Sequence, residues 1–349
     1  MRKESISSAY IQQITTNMKA LVLNGLKEPL TIKEVEKPVL EPDEVLVKIK
    51  AAAFNHRDKW IQEGLYSGIK YPIILGSDGS GIVVETGLNV DKDWLNREVI
   101  INPSFNWGDN PKAQSKEFKI LGLPDNGTLA EFALCKAEYL YKKPSHLSFE
   151  EAAAIPLAGL TAFRAIFTRA QLKPRERVLI NGVGGGVALF AMQFAVAEGC
   201  EVYVTSGSNE KIENAKFLGA YGGVNYKSTN WVQDLKELAG GFDVIVDSAA
   251  GEGFKELVEL ANPGGRIVFY GATKGTIKDL DPRRIFWKQL NILGSTMGNK
   301  TDFDSMIRFI EQHKLLPVID KVFPLEEAND ALDRMKKAEQ FGKIIIKIE

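Results

Sequence analysis

Cysteine is almost missing: the 349 residues hold two, Cys135 and Cys200, and no Cys-x-x-Cys pair. That excludes a disulfide framework and fits a reducing compartment. Histidine is nearly as scarce, with three in the chain, of which His56 falls early, in "FNHRD". The formal net charge is −1 with no basic block, so neither nucleic acid nor an acidic membrane surface is an expected partner. No stretch reaches the ~18 uninterrupted apolar residues that a membrane helix needs. The opening "MRKESISSAYIQQITTN" also lacks the apolar core of a secretory leader. A cytoplasmic setting is expected, with residues 1–17 as an N-terminal extension outside the fold.

What is present is the balance of a globular chain, 44% hydrophobic and 26% charged, long enough for two domains. Over the first third, six segments alternate or are β-branched, with Gly, Pro, Asn and Asp between them: 19–24, 30–36, 44–53, 81–87, 97–103 and 129–135. They predict a mostly antiparallel, barrel-like domain. The polar segment 104–127 is too long for a turn and reads as a functional or mobile loop. Near residue 148 the texture changes. "SFEEAAAIP" opens with a capping box on Ser148 and Glu151, and Pro156 divides the helix that follows.

From Arg177 onward, short two-sided apolar strands alternate with amphipathic helices. The strands are "RVLING", "EVYVTS", "GVNY", "DVIVDSA", "GRIVFYGA" and "NILGST". This pattern predicts an α/β, doubly wound parallel sheet with helices on both faces. One further helix and a strand, ending in "GKIIIKI", are expected to return to the first domain.

The strongest local signal is "VLINGVGGGVALF". Gly182, Gly184, Gly185 and Gly186 follow a strand and open a helix, where backbone can approach a pyrophosphate and free N–H groups meet its charge. Val187 stands where the third glycine of G-x-G-x-x-G falls. A dinucleotide site is therefore expected. NAD sites place an acid at the end of the second strand. Here that place holds Ser206, followed by Ser208 and then Lys211, a set that suits the 2′-phosphate of NADPH. The other reading makes Ser208 or Asn209 a helix cap and Lys211 a solvated side chain, with Glu210 as a ribose acceptor. Backbone groups of Gly271, Ala272, Thr273, Thr296 and Met297, at the carboxyl edge of the sheet, are expected to hold the nicotinamide carboxamide. Asp247 ends another strand, as a site residue or as an acid satisfied by turn amides.

"EPDEVLVKIKAAAFNHRD", "LGSDGSGIVVETG", "AAAIPLAGLTAFRAI", "NGVGGGVALFAMQFA" and "GKIIIKI" together resemble the medium-chain dehydrogenase/reductase superfamily, in its zinc-lacking, quinone oxidoreductase-like branch. The resemblance covers residues 18–349. It implies a GroES-like catalytic domain from residues 18–146 and 302–349, a Rossmann domain from 147–301, and a cleft between them. Zinc alcohol dehydrogenases of this superfamily bind metal through a Cys and a His-Glu pair, and the matching positions here are Asn55, Ser77 and Asp78. Catalytic zinc is therefore not expected, since tetrahedral zinc needs a fuller set of soft ligands. His56, His146 and His313 read as surface residues.

The resemblance also sets Asn55 beside the nicotinamide, although an Asn there can equally cap a helix. Tyr66 is either a lid over the substrate or a packing aromatic. Thr161 contacts the nicotinamide end or is a helix-buried threonine, and Tyr226 flanks the 2′-phosphate. The expected activity is metal-independent, NADPH-dependent reduction of a quinone or an α,β-unsaturated carbonyl, with Asn55 and Tyr66 as the catalytic candidates. The alternatives are a zinc-type alcohol dehydrogenase and a non-catalytic NADPH-binding sensor or structural protein. The apolar stretch 289–296 would form an unprotected sheet edge and pair two copies into a homodimer.

Overall fold

Strand Glu44–Ala53 organises the first half of the molecule. Its run of valine, isoleucine and alanine is buried along most of its length. It pairs antiparallel with Asp78–Thr86, Phe132–Lys136 and Lys343–Lys347. Glu98–Ile101, Leu140–Lys142 and Ile319–Pro324 complete this seven-stranded sheet. Asn17–Leu23, Thr31–Glu36 and Ile73–Ile74 form a second, three-stranded sheet. Both sheets bury their apolar faces in one core that includes Leu21, Val47, Ile49, Leu75, Leu129 and Ile346. The computed structural model describes residues 17–349. The expected extension lies outside that range except for Asn17, which already belongs to the first strand and pairs with Glu36.

The second half contains the expected parallel sheet of six strands. Its order is Gly222–Asn225, Glu201–Ser206, Arg177–Asn181, Phe242–Asp247, Ala261–Phe269 and Asn291–Gly294. All neighbours are parallel. Helices Pro156–Phe163, Gly186–Ala197 and Lys300–His313 pack one face around Phe163, Phe194 and Phe303. Trp231–Ala239 and Phe254–Leu260 cover the other face, around Leu235 and Phe254. Among the described residues, no helix is long and apolar enough to cross a membrane.

Local signals act as expected at residues 148–156. Ser148 Oγ accepts from the Glu151 N–H at 3.1 Å, and Glu151 accepts from the Ser148 N–H at 2.8 Å. The helix Phe149–Ala153 stops before Pro156, which begins the next helix. That helix then continues as a π-helical stretch, Arg164–Arg169, that periodicity does not reveal. Segment 104–127 is pinned. Ser104–Phe105 pairs with Lys119–Ile120, and Trp107 is buried against the Arg164 guanidinium.

Helix Lys300–His313 buries Phe303, Met306 and Ile310 in the core of the parallel-sheet half. From this packing we propose that the chain returns to the barrel near residues 314–318, later than the limit of 302 drawn from the sequence. The edge strand is Asn291–Gly294, shorter than 289–296, and Thr296 beyond it lies in the cleft wall.

Candidate functional site

The glycine turn is built by its neighbours. The Gly182 N–H donates to Thr205 Oγ1 at 2.9 Å and the Val183 N–H to the Thr205 carbonyl at 2.7 Å, which ties the turn to the next strand. Gly182 and Gly184 hold φ of 80° and 144°, a region that other residues rarely adopt. Gly186 is required for space: a Cβ there would meet Lys343 Cδ at 2.6 Å and Ala158 Cβ at 3.3 Å. The strand carrying Lys343 thus lies across the start of the helix, and the Gly342 N–H donates to the Gly184 carbonyl at 2.9 Å. Asp247 supports the turn from below. It accepts from Asn181 Nδ2 and from the Ala250 N–H, both at 2.7 Å, so it is the structural acid of the two readings.

These elements wall one side of a cleft of about 1340 Å³ between the two halves. Every catalytic or cofactor-binding candidate lines it except Ala272, which is exposed; Asp247, Ser77 and Asp78 do not line it either. A smaller cavity of about 480 Å³ against strand Phe132–Lys136 holds none of the candidates.

At the far end of the cleft, Ser206 is buried and Ser208 caps the helix Asn209–Phe217 through the Lys211 N–H at 3.4 Å. Lys211 is not a solvated side chain. Its Nζ donates to the Ala338 carbonyl at 2.8 Å, and burial pulls its pKa below the usual lysine value. Tyr226 and Lys227 crowd the same turn: a Cβ on Gly207 would lie 2.8 Å from Tyr226 Oη and 3.0 Å from Lys227 Cε. Lys227 escaped the sequence reading, though it follows Tyr226 directly. The carboxylates on the cleft wall are Glu252 and Glu256, just before and on the helix Phe254–Leu260.

The near end holds "FNHRD". Asn55 sits at the N-cap of helix His56–Gln62 in a capping box with Asp58, which accepts from the Asn55 N–H at 2.8 Å. Burial raises the Asp58 pKa, and the Arg57 charge opposes that rise. The Asn55 amide also lies between two buried charges. Its Nδ2 donates to Asp78 Oδ2 at 2.9 Å, and its Oδ1 accepts from Lys343 Nζ at 2.7 Å. Lys343 Nζ also donates to Asp78 Oδ2 at 2.8 Å and to the Phe54 carbonyl at 2.8 Å. Asp78 Oδ1 accepts from the Leu157 N–H at 2.7 Å.

Around this cluster, Thr161 Oγ1 donates back to the Leu157 carbonyl at 2.8 Å and lies 3.8 Å from Met297 Sδ. Tyr66 is half-buried on the cleft wall, with the Arg57 guanidinium 5.5 Å from its ring. His56 is exposed, as expected, and faces the cleft beside Gly185. Although its ring is open to the cleft, the surrounding protein desolvates it. That burial, then Lys343, then Lys59, lower its pKa to about 4, so the imidazole is neutral near pH 7. His146 and His313, unlike His56, are half-buried, against the Leu315 carbonyl and the Phe309 ring.

The positions that hold metal in zinc alcohol dehydrogenases do not suit zinc in this chain. Both Asp78 oxygens are already committed to donors. Ser77 Oγ donates to the Leu121 carbonyl at 2.7 Å and accepts from Arg57 Nη1 at 2.6 Å. A dication placed there would face the Lys343 and Arg57 charges and find amide and hydroxyl in place of thiolate and imidazole. Among the described residues, no group of three His, Cys, Asp or Glu side chains could hold a metal ion.

Comparison with known proteins agrees with the architecture. Residues 41–145 match the alcohol dehydrogenase GroES-like domain, and residues 186–312 match the domain described as zinc-binding dehydrogenase. A zinc-type alcohol dehydrogenase-like protein of Leptosphaeria maculans is 35% identical, over 92% of this chain and 95% of its own. The quinone oxidoreductase of Mus musculus is 31% identical, over 90% and 92%. The crystal structure of an NAD-dependent alcohol dehydrogenase superposes with a TM-score of 0.90 at 36% identity, over 95% of this chain and 100% of that one. With a GroES-like half, a Rossmann half and a glycine turn on the cleft between them, the chain belongs to the medium-chain dehydrogenase/reductase superfamily.

Proposed function

We propose that this oxidoreductase is a metal-independent, NADPH-dependent reductase of quinones or α,β-unsaturated carbonyls. The observation that carries this reading is the Lys343 ammonium, bonded to both Asn55 and Asp78 at the place where zinc relatives bind metal. A bound reduced nicotinamide supplies a hydride with its electron pair to an electrophilic carbon. Charge then grows on the substrate oxygen and must meet hydrogen-bond donors. An unactivated aldehyde needs the polarisation that a metal provides. A quinone or enone delocalises the charge, so the neutral donors at hand, the Asn55 amide and the Tyr66 hydroxyl, suffice. Support for NADPH comes from the missing acid at Ser206 and from Lys211 and Lys227 beside it.

The test is steady-state oxidation of NADPH against panels of quinones, enones and simple alcohols or aldehydes, with elemental analysis of the same preparation. Quinone or enone turnover that survives a chelator, with no stoichiometric zinc, is expected. One tightly held zinc per chain, with turnover confined to alcohols, would replace this reading by that of a zinc-type dehydrogenase. Tight NADPH binding without turnover of any acceptor would leave a sensor.

Among the described residues, the edge strand Asn291–Gly294 pairs on one side only. Phe286 and Trp287, on the helix just before it, are 65% and 83% exposed. We propose that two copies join through this edge. Light scattering at micromolar concentration should return twice the chain mass, and a monomer would refute the pairing.

A further inference from the structure

We infer that Lys343 and Asp78 orient the Asn55 amide so that one of its N–H groups meets the substrate oxygen, which makes Lys343 a positioning residue of the reduction. The inference rests on the reductase reading above.

The argument begins with what each group is able to do. An ammonium only donates hydrogen bonds, a carboxylate only accepts them, and an amide does both, from opposite ends. Asn55 lies between the two, with Oδ1 2.7 Å from Lys343 Nζ and Nδ2 2.9 Å from Asp78 Oδ2. Turning the amide over would set an NH₂ against the ammonium and a carbonyl against the carboxylate, two repulsions at once. Asparagine orientation is ordinarily open to question, but here its neighbours admit one answer.

Nδ2 carries two hydrogens. One goes to Asp78, and the other has no partner among the described residues, on a residue that is 7% exposed and lines the cleft. A buried N–H without a partner is costly, and an incoming oxygen relieves it. Lys343 does not reach the substrate itself, because its three hydrogens go to Phe54, Asn55 and Asp78. Its pull on Oδ1 polarises the amide and makes the remaining N–H a stronger donor. When hydride reaches the acceptor carbon, the resulting enolate or hydroquinone oxygen accepts this hydrogen bond. Water then supplies the proton, and Asn55 ends the cycle unchanged. Gly186 belongs to the same device, since any side chain there would displace Lys343.

A double-mutant cycle on Asn55→Ala and Lys343→Met tests this, reading kcat with a 1,4-naphthoquinone acceptor and NADPH affinity without acceptor. Each single change should lower kcat about tenfold to a hundredfold, the loss of one oxyanion donor, and leave NADPH affinity within about twofold. The double variant should be no slower than Asn55→Ala, because Lys343 acts through that amide. Losses that multiply, or a Lys343→Met enzyme with full kcat, would overturn the inference. Lys343→Met strands a buried carboxylate, so Asp78→Asn with Lys343→Met is made alongside as a neutral pair that folds without it. That pair should match Asn55→Ala in kcat, and wild-type turnover from it would also overturn the inference. A wild-type protein that binds NADPH and reduces no quinone or enone removes the reductase reading and this inference together. A wild-type protein that turns over but gives a multiplicative cycle removes this inference alone.

Discussion

NADPH should bind about ten- to a hundredfold more tightly than NADH, and Lys211→Ala should erase most of that difference. A hydrogen bond to a charged group is worth about 1.5–3 kcal/mol, and each ~1.4 kcal/mol is a factor of ten in affinity. In the free protein the Lys211 ammonium is spent on the Ala338 carbonyl. Because burial weakens its hold on the proton, a phosphate dianion is a better partner than that neutral oxygen. Lys227 and the Tyr226 hydroxyl share the same turn and should retain part of the preference in the Lys211→Ala protein. Ser206→Asp should invert the preference, by repelling the 2′-phosphate and accepting from the ribose hydroxyls. Titration of nucleotide fluorescence at fixed salt measures all three proteins. Equal affinity for both nucleotides in the unmodified protein would end the assignment of NADPH.

The largest loss of stability should follow from Arg164→Met, about 3–5 kcal/mol, the usual result of stranding one partner of a buried ion pair. Arg164 Nη1 donates to Asp302 Oδ2 at 2.6 Å, with 2% of the arginine side chain exposed. Asp302 also accepts from Thr168 Oγ1 at 2.6 Å and from the Asn299 N–H at 2.9 Å, so it starts the helix Lys300–His313. The other end of the guanidinium donates to the Pro111 and Lys112 carbonyls at 2.8 and 3.2 Å. One side chain therefore ties together the π-helical stretch, a helix of the parallel-sheet half and the segment 104–127. Urea denaturation should show the loss as a lower midpoint. Adding Asp302→Leu should restore much of it, because the pair is then replaced as a unit. A midpoint unchanged by Arg164→Met would show that solvent reaches Asp302.

The parallel sheet was legible because strands buried on both faces read as unbroken apolar runs. The glycine turn was legible because its backbone angles and close contacts restrict it to glycine. Asn55 could be picked out only with its partner hidden. Lys343 in "FGKIIIKI" looks like any lysine at the start of a strand, and its target lies 288 positions away. Alternation offers no warning, since this strand is buried on both sides up to Ile346. Arg164 was equally silent, because a helix periodicity assigns it no face once the helix turns π. Side chains that act across the cleft are fixed by tertiary packing, and single-chain patterns do not carry it.

The strand Lys343–Lys347 has a bearing on how the protein is made. It inserts between Glu44–Ala53 and Ile319–Pro324, so the barrel closes around a strand synthesised long after most of its neighbours. The six-strand sheet needs nothing beyond residue 294 for its own pairing, whereas the glycine turn also bonds Gly342. A nascent chain interrupted in its final helix carries the six-strand sheet and its glycines, but lacks the Gly342 N–H that bonds Gly184, the Ala338 carbonyl that bonds Lys211 and the Lys343 ammonium that bonds Asn55. During synthesis, every strand of the parallel sheet is therefore available before the last wall of the cleft that it faces.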